Sequence, residues 1–491
     1  MPETILLGVL RRCLADDGIG PDDNFYAMGG DSIVALDVIA QAMAEGVEVD
    51  LLDLLTSETV RDLAARATIA RAVPEAASTG LTDDDLALLP EAAVRARPAS
   101  ALQVGLVYLA ELAEESGAYL DFMGVRVRGP FVEQSLRAAL ERLLDRHEAL
   151  RSSFDLATYS VAAQIVWASA TAPLEVEEHG TVSEWQDRIL GEGIDLEQPP
   201  ALRCHALVSA DHFRLTLATH HSLVDGWSFA RLLVDLLLLY DAELRHDSAD
   251  LRAVPANGHD EFVRLERDAT ESAAAKAFWA GENLVPLRSV EANPSCVLRF
   301  DVDREALRAA ANDLGVPVKS LCLAAHGWAL GQWLGQDRVV TGLVMNCRPE
   351  VDGADQLVGL FLNTVPVCLD TVGGWPELAE HALLAERLVT PHRRFPLASV
   401  TELVGGPVFD VSFNFTHFHV YRELDRLRQV RADTWWSRDR ATFPMLVNVF
   451  VDDPASGTGG TVEFDPELVT PVRAEEFRDL LRHGLHAATH P

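Results

Sequence analysis

Apolar residues in the first seventy positions recur at helical spacing. Ile5, Leu6, Val9, Leu10 and Cys13 form one stripe, and Ile33, Leu36, Ile39, Ala40 and Met43 form a second that starts right after Ser32. An Asp-, Gly- and Asn-rich loop, Asp16 to Asp31, separates them. Leu51, Leu54 and Leu55 predict a short turn, and Val60, Leu63 and Ala64 a last helix. A unit this small buries little area and should be only modestly stable. Residues 71–97 mix Ala, Pro, Asp and Glu without a sustained period and read as a linker. From residue 98 the pattern becomes mixed α and β. Val125 to Val127 is strand-like, Val132 to Leu150 helical, Phe213 to Leu217 an alternating half-buried strand, and Leu232 to Leu244 a helix. A second set comes after these, with helices at Arg304 to Leu314, Ser320 to Leu334 and Pro376 to Leu388. Its strands are expected at Val339 to Met345, Leu360 to Leu369, Phe409 to Phe415 and Met445 to Val451. The chain thus divides into 1–70, the linker 71–97, and two αβ parts, 98–265 and 266–491.

Composition narrows the classes of function. Of 491 residues, 48% are apolar and 24% charged, which excludes a wholly disordered chain. Asp and Glu number 75 against 41 Lys and Arg, a formal charge of −34. Such a chain repels phosphate backbones and anionic lipid, so neither nucleic acid nor membrane is expected as a partner. Six scattered cysteines include no Cys-x-x-Cys pair, so no disulfide scaffold and no metal are expected, and a cytoplasmic setting fits. The greasiest run, Leu232 to Tyr240, is broken by Asp235 and too short to span a bilayer. In Met1 to Arg12 the arginines come after the apolar run, the wrong order for a signal peptide.

Two motifs carry chemistry. In Asp23-Asn24-Phe25-Tyr26-Ala27-Met28-Gly29-Gly30-Asp31-Ser32-Ile33, the glycines allow a tight turn and Ser32 opens a helix, facing solvent while Ile33 and Leu36 face inward. A phosphate at that helix start meets free N–H donors and partial positive charge. On capping preferences alone, Asp31 or Ser32 simply ends the helix. The second motif, His220-His221-Ser222-Leu223-Val224-Asp225-Gly226, closes the strand Phe213 to Thr219. Alternation sends the two rings to opposite faces, so one points into a given cavity and the other is packed elsewhere. Asp225-Gly226 signals a turn, and Ser228 is placed to cap the next helix.

The first segment closely resembles the phosphopantetheine attachment site of peptidyl carrier proteins from nonribosomal peptide synthetases. The second, in its αβ setting, resembles the condensation domain of the same synthetases, in the chloramphenicol-acetyltransferase-like superfamily. Arg146-His147-Glu148-Ala149-Leu150-Arg151-Ser152-Ser153-Phe154, Asn346-Cys347-Arg348, Val358-Gly359-Leu360-Phe361-Leu362-Asn363-Thr364 and His392-Arg393-Arg394-Phe395-Pro396-Leu397 match further family segments in the family's order. There are departures. Gly105 stands where the family usually has Arg, Val107 where it has an aromatic, and the carrier reads Gly-Gly-Asp-Ser where carriers feeding condensation domains often read Gly-Gly-His-Ser.

The resemblance implies a multidomain fold: a small four-helix carrier bundle, then an α/β condensation domain of two acetyltransferase-like lobes in a V with a tunnel between them. It implies 4'-phosphopantetheine on Ser32, with Asp31 and Ile33 flanking the arm and contacting partner domains. It implies peptide-bond formation between a donor on this carrier and an amine on a downstream acceptor carrier. An upstream adenylation domain and a phosphopantetheinyl transferase are the other implied partners, and the chain reads as a monomeric fragment of a larger synthetase. His221 belongs at the reacting centre, as a proton acceptor or as an orienting hydrogen-bond partner of the amine. His220 is structural, and Asp225 pairs with Arg348 to brace the loop. Glycine permits close approach, so a backbone N–H near Gly226 is placed to help the developing oxyanion, and Asn363, Trp227 and Ser228 are expected along the tunnel. Two alternatives share the motif: an epimerisation domain, which Gly-Gly-Asp-Ser favours, and a non-catalytic module that recruits a tailoring enzyme, which the intact His motif disfavours.

Overall fold

The structure is a computed structural model. It describes residues 2–490 except 15, 27, 29, 31, 70–79, 114–116, 172, 291, 439–441 and 454–456. The first unit carries helices α1 (Pro2–Leu14), α2 (Ser32–Ala44), α3 (Leu51–Thr56) and α4 (Val60–Arg66). Leu6, Val9 and Leu10 of α1 meet Ala35, Val38, Ile39 and Ala42 of α2, and Leu54, Val60 and Leu63 close the core. Asp50 and Thr59 cap α3 and α4 by accepting backbone N–H groups. Phe25 plugs this core, and Gly30 lies over its ring so closely that any β-carbon would collide with it. Gly30, just ahead of Ser32, is therefore a packing requirement.

The larger body is built on two main sheets. One has the order Arg431–Arg438, Leu120–Arg128, His212–His220, Leu202–Val208, Leu174–Glu177, all neighbours antiparallel except the last pair. Helices Glu133–Arg146 and Gly226–Leu244 cover it with a leucine-rich core. The other sheet has six strands: Cys296–Asp301, Gly457–Phe464, Met445–Asp453, Val411–Thr416, Arg338–Asn346 and Leu362–Asp370. Helices Val318–Leu334, Trp375–Val389 and Pro471–Thr489 pack on one face of it. Its other face, with Asn346, Asn414 and Asn448, lines a cavity.

Several expectations need correction. Of the stretch expected as linker, 80–97 is built into the body: strand Ala93–Pro98 pairs with Ala163–Trp167, and Leu81 packs on Ala96 and Tyr159. The expected division at 265/266 falls inside helix Gly258–Glu271. Strand Arg431–Arg438 belongs by sequence to the second half yet pairs with Leu120–Arg128 in the first sheet. Gly124 makes room for the Trp436 ring at that crossing. The helix expected from Val132 to Leu150 breaks at His147, whose backbone is extended and whose ring turns inward to Asp235 at 2.9 Å. Arg146 and Arg231 also reach Asp235, so the Arg-His-Glu motif is an internal brace of the first lobe.

Candidate functional site

Strand His212–His220 delivers both histidines, and they part as alternation requires. His220 is buried, its Nδ1 against the Ser222 hydroxyl at 2.8 Å and its ring edge-on to Tyr119. Burial, and then the neighbouring His221, push its pKa down to about 3, so it stays neutral at physiological pH. His221 is about one-third exposed and lines the cavity. Its backbone N–H donates to the Tyr119 carbonyl, and its Nδ1 lies 2.6 Å from Oδ2 of Asp121 on the adjacent strand. Tyr119 itself sits at φ 60°, a left-handed turn that feeds the strand carrying Asp121.

Asp225 caps helix Gly226–Leu244 by accepting the Ser228 N–H at 2.8 Å. Ser228, expected as the cap, lies within the first turn instead. The same Asp225 Oδ1 accepts Arg348 Nη2 at 2.8 Å, and Oδ2 accepts the Phe361 N–H. Arg348 also donates to the Ser228 hydroxyl at 2.7 Å, and that hydroxyl donates to the Gly359 carbonyl. Trp227 donates its indole N–H to the Asp355 carbonyl. Segment 355–361 of the second lobe is thus laced into the helix start beside His221. Gly226 is on the cavity wall with the Phe418 ring against it. Asn363 reaches the wall too, but its amide is committed to backbone: Nδ2 donates to the carbonyls of Arg393 and Phe395 and Oδ1 accepts the Leu397 N–H. Gln103, which caps its own helix with Ser100, donates to the Ser222 carbonyl and ties that helix to the His motif.

The cavity holds about 1490 Å³ and is shared with the first unit, which contributes Met28, Gly30 and Ile33 to its walls. Helix α2 reaches it because its outer face is seated on the body. Ile33 packs among Trp227, Ala230, Val234 and Val420, and Leu36 among Phe262, Leu357 and Phe361. Both contradict the expectation that they face inward. The inner face uses Ala35, Val38, Ile39 and Ala42 instead, so α2 is apolar on two sides and its stripe does not distinguish core from contact. Asp37 completes the contact, 3.2 Å from Arg252, which also holds Asp355. Asp31, expected beside the arm, lies outside the described residues.

Burial, and then the nearby Asp355 carboxylate, push the pKa of Asp37 up to about 6. Lifting the first unit off the body would return Asp37 to water and to the ordinary value of 3.8. The docked state therefore binds the proton more tightly, and docking strengthens as pH falls from about 6 towards about 4. Energy transfer between dyes on α1 and on the body is expected to report a higher docked fraction at about pH 5 than at about pH 7, and Asp37→Asn to abolish the dependence. A docked fraction that is flat across this range contradicts the assignment.

A helical unit and a two-lobed body thus share one cavity, with an imidazole on its wall. Residues 95–443 match the condensation domain family, and residues 4–67 match the phosphopantetheine attachment site family. The chain belongs to the condensation domain family, with a phosphopantetheine attachment domain ahead of it. It is 33% identical over 449 residues to the AMB antimetabolite synthetase AmbE of Pseudomonas aeruginosa, covering 85% of this chain and 21% of that protein. It is 26% identical over 464 residues to tyrocidine synthase 2 of Brevibacillus parabrevis, covering 87% of this chain and 12% of that one. The chain thus spans about a fifth or less of these relatives. The first condensation domain of the calcium-dependent antibiotic synthetase, in complex with a substrate analogue, shares the fold with a TM-score of 0.67 at 17% identity, over 81% of this chain and 97% of that one.

Proposed function

We propose that this chain is a donor carrier joined to its condensation domain, and that it forms an amide bond in nonribosomal peptide synthesis. Ser32 carries the phosphopantetheine arm, whose terminal thiol holds the donor acyl group as a thioester when the arm is attached and loaded. The fit of the arm is supported by the walls of the cavity: residues on both sides of Ser32 line the space that also holds His221. The acceptor is an amine on a downstream carrier; its nitrogen replaces sulfur on the donor carbonyl carbon. Loading by an upstream adenylation domain, attachment by a phosphopantetheinyl transferase and a cytoplasmic setting belong to the same reading.

The observation that carries the proposal is the seating of α2 through Ile33, Leu36 and Asp37 against the wall of the His221 cavity. This seating positions the reactants. Holding them together is worth up to about 7–11 kcal/mol of barrier, whereas supplying a neutral amine costs only about 1.4 kcal/mol per tenfold. His221 receives the amine proton or orients the amine, and the Gly226 N–H, at the positive end of a helix, faces developing oxyanion charge. Trp227, wedged between Ile33 and Phe418, forms part of the passage.

Leu36→Asp puts a carboxylate into the apolar seat of α2, among Phe262, Leu357 and Phe361. Transfer from the loaded chain to an acceptor carrier, monitored by intact-protein mass spectrometry, is expected to slow at least tenfold, while attachment of the arm to Ser32 continues. Transfer at the wild-type rate would show that this seat does not deliver the donor.

A further inference from the structure

Asp121 has no place in the His motif; it lies 100 positions earlier in the chain than His221. It nonetheless meets His221 closely, Oδ2 to Nδ1 at 2.6 Å, and it is itself only 10% exposed. The pairing is built by the sheet. Leu120 faces His220 and Asp121 faces Thr219 across adjacent antiparallel strands, while the His221 N–H is fixed to the Tyr119 carbonyl. Backbone on both sides of the carboxylate therefore sets its distance from the ring.

We infer that Asp121 is a positioning residue that fixes the tautomer and orientation of His221 for acyl transfer; this rests on the proposed role of His221. An ionised carboxylate only accepts hydrogen bonds, so it accepts one from Nδ1–H, keeps the proton on Nδ1 and leaves Nε2 as the basic nitrogen. When the acceptor amine attacks, the new C–N bond forms and the C–S bond breaks. The amine proton moves to Nε2, the imidazolium is held by the Asp121 carboxylate, and the proton then passes to the departing sulfur. The Asp121 carboxylate, 2.6 Å from Nδ1, thus lies where positive charge forms on the ring as Nε2 takes the proton. Among the described residues, the charged or titratable groups on the same cavity wall include Arg348, His417, His419, Glu423 and Arg438, and His220 lies behind His221 on the same strand. Arg348 is already engaged by Asp225.

The test uses the full chain, loaded on Ser32, and a glycyl-loaded acceptor carrier in single-turnover transfer. Asp121→Asn is expected to lower the maximal rate at least tenfold, leave the acceptor concentration for half-maximal rate unchanged, and move the acid limb of the pH profile to lower pH. Asp121→Glu is expected to restore part of the rate and return the limb. A merely structural role predicts neither the limb shift nor its return. An Asp121→Asn rate within twofold of wild type with an unmoved limb overturns the inference. If His221→Ala is inactive in the same assay, that result overturns the role of Asp121 alone; if His221→Ala is also fully active, the role of His221 falls with it. The tautomer is readable without any substitution, from long-range proton–nitrogen spectra of the wild-type chain labelled in histidine. The resonance missing in His221→Ala is expected to show hydrogen on Nδ1, and hydrogen on Nε2 overturns the inference.

Discussion

Replacing His221 by alanine is expected to slow amide formation by about 10²–10⁴-fold and to leave the fold intact. The size comes from the site. His221 is a partly exposed ring on the cavity wall whose backbone and Nδ1 are both held, so its removal takes away the proposed proton acceptor or orienting partner of the amine and little packing. His220→Ala contrasts with it. That ring is buried and hydrogen-bonded to Ser222, so its loss opens a hole and leaves polar atoms unpaired, and the damage falls on stability. Thermal unfolding measured beside single-turnover transfer separates the two variants. The assignment of His221 fails if its alanine variant transfers at the wild-type rate.

The largest expected effect on stability belongs to Arg348→Ala. Arg348 and Asp225 are each at most 1% exposed and paired at 2.8 Å. Removing the guanidinium strands a buried carboxylate and costs about 3–5 kcal/mol. It also removes the donor to the Ser228 hydroxyl and the cation resting 4.8 Å over the Phe361 ring. Segment 355–361 then loses its latch, and because Leu357 and Phe361 form the seat for Leu36, carrier docking weakens as well. Denaturant unfolding is expected to show this loss for Arg348→Ala, and Asp225→Ala/Arg348→Ala is expected to lose less than the sum of the two single variants. Additive losses would mean the pair is not the source of the effect.

Range along the chain separates the features legible in the sequence from those hidden in it. The Gly-Gly-Asp-Ser-Ile and His-His-x-x-x-Asp-Gly segments are contiguous, so their local geometry is written in neighbouring residues. Most helices are amphipathic and announce themselves. Helix Gly226–Leu244 does so only in part: it is buried on all sides from Trp227 to Ala242 and shows no polar face to mark its start. Asp121 is hidden because it meets His221 through a strand register across 100 positions, which no local pattern encodes. Strand Arg431–Arg438 escapes notice for a related reason. Arg-Ala-Asp-Thr-Trp-Trp-Ser-Arg does not alternate, and Trp435 and Val430 bind it to the core of the other lobe. The outer face of α2 is the opposite case: Ile33 and Leu36 are visible as apolar, but what covers them is the body, far along the chain.

The most direct test of the central claim tracks one acyl group. Ser32 is loaded with an aminoacyl-phosphopantetheine deuterated at the α-carbon, a glycyl-loaded acceptor carrier is added, and both proteins are weighed intact over time. The account predicts that the donor mass leaves this chain and appears on the acceptor with its deuterium retained, in wild type and not in His221→Ala. Loss of deuterium on Ser32 with no gain by the acceptor would contradict it and make the site an epimerisation centre. A glycyl mass gained by this chain would contradict it as well, by reversing donor and acceptor.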